Sequence, residues 1–494
     1  MATIGASVRN RKTILAVILI GLAMTLLQVS SVNNLLPIMS KSLEASTSSS
    51  QWVLSGYALA TGILLVSSGR LGDLFGQGRL FVIGLTIFGL GSLGCGLAWN
   101  AGFLNLMRIV QGLGAGVYSP QIFGIIQRYF KGRDRARAFG YVGLVVAVSV
   151  ATGPVMSGAL VAWLGEGTGW RWSFLVNVPV AAAGVVASFA FLPMRRERRD
   201  GTLDIDPLGM SILVLAVVGL MLPFLTAFRW RWFLLPLAAG LGWAWVRWER
   251  HYGAAGRSPM VDLRLFRLRS FSYGICVTLF MFLGSSSVFA LVALFLQKGL
   301  ETSPLQVGLI CLPSGIGSGI GALWAGRHTY EDGARIQARS LAACVIALLL
   351  STLTAWGTTR GIPGALMAVP LAFVGLSFGL MGSANTTETL RDVPPEQGAT
   401  AGGAYQTAQR VTTAIGNAVV TAVFFSIARG HSTQSLTTVF HAYAAANAVI
   451  IAVIAASFAV AFRYLANRNA QANRGASAKP KKGAPREFPP RVRH

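Results

Sequence analysis

The sequence predicts an all-α polytopic membrane protein with fourteen transmembrane helices, arranged as six, an inserted pair and six (6+2+6). Three observations carry that reading. Of 494 residues, 53% are hydrophobic and only 12% charged, too few charges to cover a water-facing surface. Apolar stretches recur along the whole chain. Most of the 42 Lys and Arg fall in the termini and in alternate gaps between those stretches.

In chain order the spans are read at 14–36, 51–69, 80–98, 103–127, 137–162, 173–193, 208–227, 231–248, 271–297, 305–326, 339–357, 362–384, 402–428 and 438–462. Each is close to the ~20 residues that cross hydrocarbon as helix. The first follows a basic start (Arg9, Arg11, Lys12) but is long, lacks a small-residue cleavage pattern and leads into further spans, so it is kept in the mature protein. Between the seventh and eighth stand only Arg229, Trp230, Arg231 and Trp232, either an interfacial anchor or a bend within one helix. Cys95, Cys276, Cys311 and Cys344 all lie in spans and have neither a disulfide framework nor metal spacing.

The charge asymmetry places both termini in the cytoplasm of a cell inner (plasma) membrane protein. The blocks Arg128 to Arg137, Arg195 to Arg199 and Arg247 to Arg269 are cytosolic topology signals, and no nucleic-acid partner is implied despite a formal charge of +25. Polar connections at 200–207 and 251–270 bracket the inserted pair. The expected units are therefore an N-terminal six-helix bundle (1–200), two inserted helices with linkers (201–262), a C-terminal six-helix bundle (263–465) and a disordered basic cytoplasmic tail (466–494). An echo between Gly69–Arg79 (GRLGDLFGQGR) and Gly326–Arg335 (GRHTYEDGAR) fits two halves related by repetition.

Several motifs carry chemistry. Gly69, Leu71, Gly72 and Asp73, then Gly76, form a small-residue turn in which Asp73 can hydrogen-bond an opposing helix terminus. Arg108, Gln111, Gly112, Gly114 and Gly116 put a guanidinium in the fourth span, where it needs polar company, a water-filled cavity or a snorkelling path to the headgroups. Gly140, Gly153, Pro154 and Gly158 give the fifth span a tight-crossing, kinked face. With Leu27–Pro37 (LQVSSVNNLLP) in the first span, these stretches resemble the major facilitator superfamily, and the fourteen-span total resembles its drug:proton antiporter branch, the multidrug efflux type.

That resemblance implies a major facilitator fold, alternating access and exchange of substrate for a coupling proton, with transport and gating roles for Asp73, Arg108, Gln111, Gly153 and Pro154. The sequence departs from the pattern in places. Leu74 and Gln77 stand where basic residues are usual, Ser149 and Ser157 replace glycines, and Asn34 is additional to the family's asparagine at Asn33. Gln28 occupies the position of an aspartate, and glutamine cannot titrate. Of the 17 acids none lies near the centre of a span, and the deepest, Glu388, has Arg391 one turn away, so it is either a gating acid or half of a helix-end ion pair.

A cavity wall for substrate is expected from Gln28, Asn33, Asn34, Tyr57, Tyr118, Gln121, Phe289, Tyr405, Gln406, Gln409 and Arg410. Gln406, Gln409 and Arg410 share one helix face, which must point to protein or water. Without a buried carboxylate a cation is expensive to desolvate, and a neutral, zwitterionic or anionic amphiphile is easier to hold. There is no phosphate-binding loop, metal cluster or catalytic constellation, so no cofactor and no enzyme activity are expected. The expected partners are an amphipathic small molecule, a proton and the lipid bilayer, for a protein taken to be a monomer. Export of amphipathic or hydrophobic small molecules is the favoured activity, with transport of a lipid or cell-envelope precursor as the alternative.

Overall fold

The computed structural model describes residues 8–194, 205–226, 229–428 and 435–477. The Arg195–Arg199 block, most of the 200–207 linker and the tail beyond 477 lie outside them. The chain is all α: α1 Val8–Ser42, α2 Thr47–Phe75, α3 Gln77–Gly96, α4 Ala101–Tyr129, α5 Gly132–Leu175, α6 Asn177–Phe191, α7 Pro207–Leu225, α8 Leu234–Ala254, α9 Arg269–Ser285, α10 Val288–Gly299, α11 Pro304–Thr358, α12 Ala368–Thr389, α13 Gly398–Ala428 and α14 Leu436–Ser477. Polar side chains set several starts. Asn100 accepts from Phe103 N at 2.8 Å, Asp206 accepts from Gly209 N at 2.8 Å ahead of Pro207, and Ser303 and Gln306 form a capping box ahead of Pro304.

The span count corrects the expectation of fourteen in a 6+2+6 arrangement. Among the described residues, eleven helical stretches are long and apolar enough to cross a membrane. The reasons are local. The fifth and sixth expected spans run together in Gly132–Phe191, because α5 stays helical through a kink at Gly165 (φ 79°, ψ 164°). The tenth and eleventh are one 55-residue helix, α11, kinked at Asp332. The eighth fails because α8 carries Arg247, Glu249 and Arg250 within 21 residues. The Arg229–Trp232 connection forms a turn and a short 3-10 helix with Trp230 and Trp232 exposed, an interfacial anchor in form.

Two large cores organise the packing. One joins Ile14 through Leu192 with Phe271, Leu390 and Tyr405, and the other is built wholly from residues between Val277 and Ala461. A small third cluster wedges Val217 and Met221 of α7 against Val411 of α13 and Leu59 of α2. One face of the bundle carries the basic turns around Arg128–Arg137 and Arg327–Arg339, and is called the basic face below. There the halves approach backbone to backbone. A Cβ on Gly403 would lie 2.3 Å from Leu65 O, and one on Gly140 would lie 2.7 Å from the Gly326 Cα. Only glycine permits those crossings.

Candidate functional site

At the basic face, Asp73 ends α2 by capping the first turn of α13. Its carboxylate accepts from Thr400 N at 2.9 Å, Thr400 Oγ1 at 2.7 Å and Ala399 N at 3.2 Å. Gln77, in place of a basic residue, donates Nε2 to the same carboxylate at 2.9 Å. The departure therefore supplies a neutral amide where a charge was expected. Gln127 of α4 adds a second latch, donating to Leu390 O at 2.6 Å and Val393 O at 2.9 Å.

Toward the other face, α1 is stitched to α5 around Pro154. Pro154 has no N–H, which leaves Val150 O without its helical donor, and Ser30 Oγ fills the gap at 2.9 Å. Ser31 Oγ donates to Gly153 O at 3.0 Å. Asn34 Nδ2 reaches Ser157 Oγ at 3.3 Å and Pro154 O at 3.4 Å. Asn34 and Ser157 are both departures from the family pattern, and they bond each other. Gly153 is needed here, since a Cβ would sit 2.6 Å from the Ser30 Cβ. Gly158 has open space instead.

Arg108 is 1% exposed, and its guanidinium turns into the protein rather than toward the headgroups. Nε donates to Val53 O at 2.9 Å and NH1 to Gln111 Oε1 at 2.5 Å, while Gln111 Nε2 donates to Ser92 Oγ at 2.6 Å. The guanidinium lies 4.1 Å above the Tyr57 ring. Tyr57 is itself buried, with no hydrogen-bond partner at its hydroxyl.

The residues expected to line one cavity are dispersed. Gln28 faces α6, where its Oε1 accepts from Asn177 Nδ2. Tyr118 Oη donates to Gly21 O at 2.8 Å and Gln121 Nε2 to Ser68 O at 2.8 Å, so both are tied into the packing around α4. Tyr405 pairs with Thr386 Oγ1 at 2.8 Å, and Phe289 packs edge-on against Phe378. Asn33 is exposed. Between α2, α4 and α13 remain Tyr57, Gln406, Gln409 and Arg410. Gln406 accepts from Ser119 Oγ across the halves, while Gln409 and Arg410 are half-buried.

Glu388 is buried, at 3% exposure, and is held by three partners: Arg391 at 3.4 Å, Arg468 at 3.4 Å and Tyr464 Oη at 3.4 Å. Among the described residues no group of three His, Cys, Asp or Glu is placed to hold a metal ion.

Comparison with known proteins fixes the class. A profile described as the Major Facilitator Superfamily matches residues 18–417. The chain belongs to that superfamily. It is a multi-pass integral membrane protein, a secondary active transporter of small molecules and not an enzyme. Relatives within the superfamily include a probable actinorhodin transporter of Streptomyces coelicolor, 30% identical over 86% of this chain and 75% of that one. The multidrug resistance protein Stp of Mycobacterium tuberculosis is 28% identical over 84% of this chain and 76% of its own. A proton:xylose symporter structure superposes with a TM-score of 0.62, covering 90% of this chain and 94% of that one at 13% identity, and so shares the major facilitator fold.

Sequence reasoning missed Arg468 and Tyr464 because the last apolar residues end near 462, whereas α14 continues to Ser477. It also missed the polar knot around Asn385. Asn385 is fully buried, accepting from Gln337 Nε2 at 2.6 Å and donating to Thr278 Oγ1 at 2.7 Å. A buried asparagine beside three threonines is the signal that could have found it.

Proposed function

We propose that this transporter exports amphipathic or hydrophobic small molecules by alternating access, in exchange for protons. The observation that carries the reading is the Asp73 clasp. A carboxylate from one half capping a helix of the other is strong enough to close the basic face and local enough to release. Pro154, with the Val150 carbonyl it frees held by Ser30, gives α1 and α5 a shared pivot toward the opposite face. The names carried by the actinorhodin and multidrug-resistance relatives support export over uptake. The positive-inside pattern supports a plasma-membrane placement with both termini in the cytoplasm, and so an Asp73 clasp on the cytosolic side. We further propose a six-helix unit on either side of the 201–262 insert.

Gln28 is turned to Asn177, so a titrating group for proton exchange must come from elsewhere, with Glu388, 3% exposed, the candidate carboxylate. A second reading, transport of a lipid or cell-envelope precursor, is favoured by one feature. A cavity of ≈ 540 Å³ between α2 and α7 is lined by Thr47, Ser48, Gln51, Trp52, Leu222 and Thr226, which together offer apolar walls and hydrogen-bonding groups. The test is purified protein in proteoliposomes carrying an internal pH dye, given a panel of amphiphiles. Substrate-dependent proton movement is expected, and substrate movement with no proton flux would reject antiport.

A further inference from the structure

The middle of the protein holds positive charge and spare donors with nothing negative to meet them. Arg410 stands ten residues along α13 from Thr400, about 15 Å above the Asp73 clasp at 1.5 Å per residue, and so near mid-membrane. Among the described residues it makes no ion pair or hydrogen bond, and it is half-buried, leaving its guanidinium reachable. Two helical turns back along α13, Gly403 meets Leu65 of α2, so Arg410 stands about level with the Tyr57 stretch of that helix. The second guanidinium, Arg108, stacks on the Tyr57 ring.

The unpartnered polar atoms beside Arg410 on α2 and α13 can all donate. The Tyr57 hydroxyl belongs to a side chain 2% exposed, Gln406 Nε2 to one 8% exposed, and Thr407 Oγ1 is likewise without a partner. Gln406 and Thr407 lie four and three residues before Arg410, on its own helix face. A guanidinium drawn partly out of water without a counter-charge is costly, and so is a buried donor without an acceptor. One kind of ligand answers both: a group that is negative and only accepts hydrogen bonds.

We propose that the transported molecule is an organic anion, an amphiphile whose carboxylate or sulfonate is held by Arg410, with the Tyr57 hydroxyl and the Gln406 amide completing its shell. The inference rests on the transport reading and sharpens it. A cationic amphiphile would meet two arginines here and no acid.

The test uses liposomes reconstituted with the full chain and loaded with 8-anilinonaphthalene-1-sulfonate or, in parallel, with ethidium, two aromatic dyes of opposite charge. Wild type should release the sulfonate at least 10-fold faster than protein-free liposomes and leave ethidium inside. Arg410→Gln should slow sulfonate release about 10-fold or more, and Arg410→Lys should restore part of it, because a point charge replaces a planar fork. Should Arg410→Gln fail to fold by size-exclusion chromatography, Tyr57→Phe removes a single hydroxyl and should slow release several-fold. Equal sulfonate release from wild type, Arg410→Gln and Tyr57→Phe would overturn the anion site. Release of ethidium in place of the sulfonate would overturn the anion site while leaving export standing, and release of neither dye would count against both.

Discussion

Arg108 spends its donors on neutral groups: a backbone carbonyl, the Gln111 amide and the face of Tyr57. Removing it strands the Gln111 carbonyl, at about 1–3 kcal/mol for a buried group left unsatisfied, and takes the second donor from Val53 O. Arg108→Ala is expected to abolish transport, with a loss of 100-fold or more, while the protein stays in the membrane. Flux assays beside size-exclusion profiles check this, and retained transport would remove Arg108 from the mechanism. Glu249 of α8 poses a different residue-scale problem. Burial pushes its carboxyl up to about 7 and the nearby Asp206 adds to the rise, while Met260 N, Val261 N and the Trp245 indole pull the other way without reaching hydrogen-bond geometry. The folded protein therefore binds this proton more tightly than the unfolded chain. Stability should fall as pH rises from about 4.5 to 7, and Glu249→Gln should flatten that slope in thermal-unfolding scans.

Elements show most clearly what the sequence did and did not disclose. Side-chain polarity breaks at Gly165 and around Asp332, so hydropathy divides α5 and α11 where backbone hydrogen bonding carries on through a kink. Asp73 was legible because its glycine-rich setting is written in side chains. Its partners, the backbone N–H groups of Ala399 and Thr400, could not be read, since any residue supplies them. Arg410 could be placed on a polar face by spacing, yet its lack of any counter-charge emerges only when α2, α4 and α13 are assembled. The α1–α5 seam yields a sharp contrast between two glycines of one motif. Gly153→Val should force α1 off α5 by steric conflict with Ser30 and cut transport at least 10-fold. Gly158→Ala should leave transport unchanged and stability within about 1 kcal/mol of wild type or higher, as a helical alanine replaces glycine in open space. Equal loss from both substitutions would mean that this motif acts through something other than close packing.

For the whole molecule, the described geometry is that of a bundle clasped at its basic face. Asp73, Gln127 and the Arg133–Glu331 ion pair all bridge the halves on that side. Charge-assisted hydrogen bonds are worth about 1.5–3 kcal/mol each, so Asp73→Asn should shift the balance toward opening of the basic face by a factor of ten or more. Distance measurements between spin labels on the basic-face ends of α2 and α13 should report the wider state. An unchanged distance distribution would show that the glycine contacts alone hold the face shut.

The arginines at the centre turn the transporter into an electrical device. On the alternating-access mechanism proposed above, a barrier moves past Arg108 and Arg410, so these fixed charges feel first one compartment's potential and then the other's. A unit charge carried through the full field is worth roughly 2.3 kcal/mol per 100 mV. An inside-negative membrane then pulls the empty carrier toward the state that shows its arginines to the cytosol. Any ligand that neutralises them lightens that pull, so the voltage across the membrane sets the pace at which the unloaded protein resets.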